Sequence, residues 1–254
     1  IDAGLGPRTT AQRMNGTGIS LNDVRAICLT HLDRDHFNPA WLDTLRSRGI
    51  RVHCHRSRVQ FLVELLGEDD AAALINGFED SFEPLEGVCI RTISLAHDRA
   101  GSHGFVVSVN GCRLGYATDL SRVPEALIEY FADLDLLAIE SNYDPQMQLE
   151  SARPQFLKSR IMNGSGHLSN EQAFEAVKII LDAAERRRRP LPRHIVLLHR
   201  SRQCNCPKIV RRLFERDSRI TQRLTLAEQF VRSDWLHVRP RRPLVGEQLS
   251  LQFG

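Results

Sequence analysis

The sequence predicts an α/β fold (α+β) whose functional residues gather at the C-terminal ends of its strands. Three observations predict it. Short continuous apolar runs, the pattern of buried strands, recur between segments of helical periodicity. Two apolar segments are joined by Asn110-Gly111, the strongest two-residue hairpin signal. Successive strands also run out into a histidine or an aspartate, at His31, His97, Asp119 and His199. That edge is where open α/β sheets place their sites.

Taken in order, Ile1-Asp2-Ala3-Gly4-Leu5-Gly6 reads as a strand ending in a glycine turn. A strand without a partner leaves its backbone groups unpaired, so one or two further strands of the first sheet are expected ahead of it. Residues 24–28 form the next strand. Asn38-Pro39 is an N-cap with proline at the first helical position. Residues 38–48 follow as a helix with Trp41, Leu42 and Leu45 on one face and Gly49 at its end. Residues 50–55 are a strand, and 59–66 a helix stopped by Gly67. His53 and His55 alternate on their strand and read as core-edge or surface residues.

Residues 87–95 alternate as a strand and end in Ala96-His97-Asp98. The hairpin pairs 104–109 with 112–117, and its second strand runs into Thr118-Asp119. A helix over 123–131 leads to the apolar strand 134–139, which ends at Glu140-Ser141-Asn142. Residues 157–161 form a short helix, and Ser169 or Asn170 caps a longer one over 171–184. Residues 194–198 are a buried strand with His199 directly after it. A helix covers 206–216, and weakly alternating short strands are expected from Leu224 onward. His103, His194 and His237 read as structural or exposed.

The chain has 254 residues, 42% of them hydrophobic and 26% charged, the composition of an ordinary globular protein. No apolar run is long enough to cross a membrane, and no signal-like segment opens the sequence. A net charge of +3 does not argue for nucleic acid by itself. Its distribution says more, with one arginine run at Arg186 to Arg189 and a second cluster at Arg239, Arg241 and Arg242. The plain alternative for both is a solvated helix end and a surface loop. Cys28, Cys54, Cys89 and Cys112 lie in apolar runs, where a free thiol packs as a small hydrophobe. Cys204-Asn205-Cys206 lacks a second pair at zinc-finger spacing. Reduced thiols in a cytoplasmic protein are expected.

The densest chemistry lies in Thr30-His31-Leu32-Asp33-Arg34-Asp35-His36, between the strand 24–28 and the helix behind Asn38. In an extended segment His31 and Asp33 point the same way, while Asp35 and His36 lie at the turn into the helix. One loop can thus feed two adjacent cations, or it can be a solvated acidic loop that happens to hold two histidines.

This loop resembles the His-x-His-x-Asp-His signature of the metallo-β-lactamase fold, with Asp33 standing where that family has its second histidine. Ala96-His97-Asp98 with Gly104-Phe105 resembles the third-histidine motif of the ribonuclease Z and YycJ-type exonuclease branches. Gly115-Tyr116-Ala117-Thr118-Asp119-Leu120 resembles their bridging-aspartate segment. Further matches to the YycJ type are Glu140-Ser141-Asn142-Tyr143-Asp144, Gly166-His167-Leu168-Ser169-Asn170-Glu171-Gln172-Ala173, and Leu198-His199-Arg200-Ser201 with Asn205. The matches run in order from residue 1 to about residue 210 and leave 215–254 outside.

The resemblance implies a four-layer αβ/βα sandwich as a single domain over 1–254, with some N-terminal strands of the family missing. It implies two divalent metal ions, manganese or zinc, one on His31, Asp33 and His97 and the other on Asp35, His36 and His199, bridged by Asp119. Asp35 would also orient the nucleophile, and His167 would protonate the leaving group. Glu140 and Asp144 would orient ligand histidines from behind. Ser169, Asn170, Ser201 and Asn205 would bind substrate. The implied activity is a dinuclear phosphodiesterase, an exonuclease on nucleic acid with DNA favoured. The rivals are a small-molecule ester, lactone or phosphodiester hydrolase of the same fold and a degenerate homologue that binds without catalysis. A carboxylate at Asp33 adds a hard oxygen donor and one negative charge, which favours Mn²⁺ over Zn²⁺. Oligomeric state leaves no trace in the sequence.

Overall fold

The computed structural model describes residues 1–97, 101–162 and 166–240, and within them the strands build a three-stranded and a seven-stranded sheet. The small sheet holds β1 (Ala26–Cys28), β2 (Arg51–His55) and β3 (Ile75–Phe78), all parallel and in that order. The large sheet holds β4 (Ser81–Leu85), β5 (Val88–Leu95), β6 (Ser102–Val109), β7 (Cys112–Ala117), β8 (Leu136–Glu140), β9 (His194–Leu198) and β10 (Leu224–Leu226). Its spatial order is β10-β9-β8-β7-β6-β5-β4. Strands β4 to β7 alternate in direction, while β7 to β10 run parallel. The C-terminal ends of β5, β7, β8 and β9 therefore lie along one edge.

Helices cover the outer face of each sheet. Helices Glu125–Phe131, Asn170–Arg186 and Pro207–Phe214 bury Leu127, Phe131, Val177, Ile180, Val210 and Phe214 against Ile93, Leu137, Ile139 and Ile195 of the large sheet. On the other side Trp41, Leu45, Leu62 and Leu74 pack on Ile27, Val52 and Cys54. The two sheets meet through Cys28 and Phe78 on one side and Ile90 and Phe105 on the other. Fully burying a side chain such as Phe105 contributes about 1.5–3 kcal/mol. This is the expected four-layer αβ/βα sandwich.

Local chemistry explains the element ends. Asn38 accepts from the backbone N–H of Ala40 ahead of Pro39, and Gly49 closes the helix Leu42–Arg48 at a φ of 62°. Ser169 and Gln172 form a reciprocal capping box that starts the 17-residue helix Asn170–Arg186. At the hairpin Asn110 and Gly111 take φ of 49° and 73°, the left-handed pair that a two-residue turn needs.

Several elements escape sequence reasoning. Strand β3 carries an internal Asn76-Gly77, and β4 carries Pro84, both signals that argue against strands. Pro84 is tolerated because β4 is the edge of the large sheet, where its register shifts between Phe82 and Leu85. Helices Pro7–Met14, Glu68–Leu74 and Pro145–Glu150 were also not expected. The expected N-terminal strand end is reduced to a bridge between Ala3 and Phe37. Beyond β10 the expected strands give way to irregular chain up to Pro240, which lays Ala227, Leu236 and Val238 against Leu136, Ala138 and Val196. Cys89 is exposed rather than buried. Asp98, Arg241 and Arg242 lie outside the described residues. Within the described residues no helix is long and apolar enough to cross a membrane.

Candidate metal centre

The loop after β1 folds back on itself, with the N–H groups of His36 and Phe37 both donating to the carbonyl of Asp33 (2.8 Å). This turn brings the rings of His31 and His36 to 4.1 Å and points Asp33, Arg34 and Asp35 outward. The N-terminal segment crosses directly beneath. A Cβ on Gly4 would sit 1.7 Å from the carbonyl oxygen of Asp35, so only glycine fits there.

The large sheet supplies the other half. His97 follows β5, Asp119 follows β7, Glu140 ends β8 and His199 follows β9. Asp119 and His199 sit at φ of 53° and 51°, and Asp2 at 55°. This left-handed region is uncommon for residues with a Cβ and costs on the order of 1–3 kcal/mol each. Hydrogen bonds hold the strain in place. Glu140 Oε2 accepts from the N–H of Asp119 (3.0 Å), Asp2 N–H donates to the Cys28 carbonyl (2.9 Å), and Asn142 Nδ2 donates to the His199 carbonyl (2.7 Å).

All four imidazoles are held by Nδ1. That of His36 donates to Asp2 Oδ2 (2.9 Å), that of His97 to the Gly166 carbonyl (3.1 Å) and that of His199 to Glu140 Oε2 (2.9 Å). The Thr30 hydroxyl spends its one proton on Asp2 and so accepts from His31 Nδ1 (3.0 Å). With every Nδ1 acting as donor, the neutral form of each ring turns an Nε2 lone pair inward. There the Nε2 atoms of His31 and His36 are buried with no aligned hydrogen-bond acceptor, although Asp119 Oδ2 lies 2.9 Å from the latter.

Three groups of possible ligands result. Asp119, Glu140, His167 and His199 form one, His31, His97 and Asp119 converge in a second, and Asp35, His36 and His199 in a third, with the atoms of each within 4.8 Å of one another. Asp119 lies between the last two, Oδ1 at 3.7 Å from His97 Nε2 and Oδ2 at 2.9 and 3.6 Å from His36 and His199. Orphaned buried nitrogens facing carboxylates are what a divalent cation site requires, and an imidazole–carboxylate donor set suits zinc or manganese.

The charges follow from this crowding. Burial opposes a proton on His36, but the carboxylates of Asp119 and Asp2 outweigh it and hold its pKa up to about 10. Burial and the neighbouring His36 push His31 down to about 4. The hydrogen bond from His199 lowers Asp35 to about 2. Burial disfavours the Asp119 anion, yet contact with His36 and His199 lowers its pKa on balance. Against the penalty of burial, Asp35 and Glu140 raise His199 well above an ordinary histidine.

Glu140 is the hub behind these ligands. It is 0% exposed, and its Oε2 meets Nδ1 of both His199 (2.9 Å) and His167 (3.1 Å) while Oε1 accepts from the N–H of Leu168 (2.8 Å). Burial disfavours its charge, but the two histidines lower its pKa on balance. His167 lies beside the ligands, its ring 5.3 Å from those of His97 and His199. Burial opposes a proton on His167, but Glu140 and then Asp119 outweigh it and raise its pKa.

Other expected residues sit elsewhere. Asp33 comes within 3.7 Å of His31 Nε2, but its side chain is 59% exposed and it joins neither ligand group. Asp144 caps the helix Pro145–Glu150 through Met147 N–H rather than orienting a histidine. Ser169 is used up in its capping box. Asn170 and Asn205 are buried and bonded to each other, to Ser141 and to the Asn142 carbonyl. The Ser201 hydroxyl accepts from the N–H of Cys204 and from Arg153. All four side chains bind loops to one another. Asp2, Thr30 and Asn142 were missed. Asp2 had a signal, because it too is a strand-end aspartate before a glycine turn.

The family described as "Beta-lactamase superfamily domain" matches residues 1–195. The chain is 25% identical over 215 residues to the exodeoxyribonuclease YycJ of Bacillus anthracis, covering 83% of this chain and 77% of that protein. It is 22% identical over 179 residues to the exodeoxyribonuclease WalJ of Streptococcus pneumoniae, covering 70% of this chain and 66% of that protein. Among solved structures it is similar to the short form of human tRNase Z at 22% identity and a TM-score of 0.55, over 89% of this chain and 84% of that one. A diphosphatase from the PhnP family aligns at 16% identity and a TM-score of 0.57, over 87% and 72% of the two chains. These structural likenesses establish the fold.

Proposed function

The chain belongs to the beta-lactamase superfamily, and from that premise we propose that it is a dinuclear metal-dependent phosphodiesterase that digests nucleic acid, DNA in preference to RNA, from an end. The observation that carries the reading is the convergence on Asp119 of the buried Nε2 atoms of His31 and His36, neither with an aligned hydrogen-bond acceptor. Its ligands would be His31, His97 and Asp119 for one cation and Asp35, His36, His199 and Asp119 for the other, with Asp33 beside the first. Two such cations, when bound, polarise a phosphoryl oxygen and lower the pKa of a water between them.

The protein groups do the rest. Asp35, 68% exposed at the mouth and 3.4 Å from His199, accepts a hydrogen bond from the attacking water and orients it. His167, fixed through Nδ1 by Glu140, presents Nε2 to the departing oxygen and donates its proton. Glu140 keeps both His167 and His199 in the required tautomer.

The names of the YycJ and WalJ relatives support nucleic acid, and DNA within it. Asp33 and Asp35 stand exposed at the edge of the centre, at 59% and 68%, so a substrate can reach it from solvent. The arginine run Arg186 to Arg189 does not support it. It lies at the far end of the helix that Ser169 starts, roughly 25 Å from the centre at 1.5 Å per residue.

The test is hydrolysis of a nitrophenyl phosphodiester and of end-labelled single- and double-stranded DNA and RNA with Mn²⁺ or Zn²⁺. Metal-dependent shortening of DNA from one end is expected. Loss of the small diesterase activity as well as all nuclease activity, in protein carrying two metals per chain, would overturn the reading.

A further inference from the structure

Helix Pro207–Phe214 turns one face to the core and leaves the other bare. Val210 and Phe214 are fully buried, while Lys208, Arg211 and Arg212 are exposed. Positions separated by three and four residues share one side of a helix, so the three cations form a single ridge. Within the described residues Lys208 and Arg212 form no ion pair, and Arg211 meets only the exposed Glu215, at 3.7 Å. A surface pair of that kind contributes little.

Helix stability accounts for only part of this charge. Arg211 and Arg212 lie in the last turn, where the helix dipole favours cations, but Lys208 lies in the first turn with no acidic residue beside it, against that preference. The adjacent helix Asn170–Arg186 exposes Glu171, Glu175 and Glu185 instead. Basic and acidic faces therefore stand side by side, and a polyanion can follow only the first.

The ridge is bolted to the metal centre. Asn205, two residues ahead of Pro207, donates through Nδ2 to the carbonyls of Ser141 and Asn142, both at 2.8 Å. Those residues directly follow Glu140, which touches His199 and His167. The Cys204 carbonyl accepts from Asp144 N–H at 2.7 Å. Between His199 and the helix lies exposed Arg202, whose guanidinium stands 4.6 Å from the ring of Phe230. That ring is itself half exposed. Arg202 and Phe230 together offer a cation and an aromatic ring, the surface chemistry that holds single strands.

We propose that Lys208, Arg211 and Arg212 form a track for the phosphates of a single-stranded nucleic acid whose end lies at the metal centre. This rests on the nucleic-acid reading above and names the surface that carries the undigested part of the strand. One helical turn advances 5.4 Å, so the ridge matches the spacing of adjacent phosphates in an extended strand.

The experiment compares wild type with the triple variant Lys208→Gln, Arg211→Gln, Arg212→Gln and with a control, Arg186→Gln, Arg188→Gln, at the remote end. Binding of a fluorescent single-stranded 15-mer is measured from 50 to 200 mM salt, and hydrolysis of a nitrophenyl phosphodiester is measured in parallel. Each lost phosphate contact on a single strand reduces the salt slope by about 0.7, so the triple variant should lose about 2. Wild type should then lose roughly 20-fold more affinity across that range than the variant. Hydrolysis of the small diester should stay unchanged in all three proteins, and the control should bind as wild type. A triple variant that binds the 15-mer with the wild-type salt slope overturns the track and leaves the nuclease reading standing. Wild type that cleaves the small diester and neither binds nor cuts any oligonucleotide overturns both.

Discussion

Nδ1 of His199 stands 2.9 Å from Oε2 of Glu140, and the same oxygen lies 3.1 Å from Nδ1 of His167. One buried carboxylate thus fixes the tautomer of a proposed metal ligand and of the proposed proton donor. Metal and proton chemistry can still be separated by substitution, because His167 stands in neither of the two groups that enclose the proposed cations.

His167→Ala should lower turnover of an ordinary phosphodiester about 10²–10⁴-fold while metal content stays at the wild-type level. A nitrophenyl ester, whose leaving group needs no proton, should be nearly unaffected. Equal losses on both substrates would assign His167 to substrate binding instead.

Asp119→Ala should cost both metals at once, since its two oxygens face His97 on one side and His36 and His199 on the other. Elemental analysis should find well under one metal per chain. Two metals retained would show that Asp119 does not bridge.

Asp33 should make the first site the weaker one. His31, His97 and Asp119 converge there, while Asp33 stays 59% exposed at 3.7 Å from His31. Metal titration should therefore show two steps, the weaker one favouring Mn²⁺ over Zn²⁺. Asp33→His should strengthen that step and reverse the preference. An unchanged titration in the variant would remove Asp33 from the site.

Metal affinity should rise with pH. His36, raised to about 10, and His199, raised well above an ordinary histidine, both carry a proton at pH 7 in the apo-protein. A cation needs their Nε2 atoms neutral, so binding must displace those protons, and affinity should increase up to about tenfold per proton for each unit of pH below the raised pKa. Calorimetry in two buffers of different ionisation enthalpy counts the protons released. Finding none at pH 7 would refute the assignment of His36 and His199 as ligands.

Asn205→Ala should destabilise the fold. Its amide donates to the carbonyls of Ser141 and Asn142 and to Asn170 Oδ1, and buried acceptors left unpaired cost about 1–3 kcal/mol each. A loss of about 2 kcal/mol would lower Tm by roughly 4–8 °C in a chain of this size. An unchanged Tm would mean that water or a neighbouring side chain replaces the amide.

The ordered run of His31, His97, Asp119 and His199 at strand ends was legible in the sequence because strand periodicity and turn chemistry are local. Asn110-Gly111, Asn38-Pro39 and Ser169 with Gln172 each act within a few residues of themselves, and the structure places them where local rules put them. Strands β3 and β4 were hidden because their stability comes from partners, against the local preference of Gly77 and Pro84. What no pattern could tell is which polar residues face the centre and which face away. Asp2 reaches His36 across 34 positions of sequence, and Asn205 reaches Ser141 across 64. Ser169, Asn170, Ser201 and Asn205 carry the same polar groups whether they meet a substrate or one another. Burial decides between the two, and burial is set by how the sheets and their loops pack.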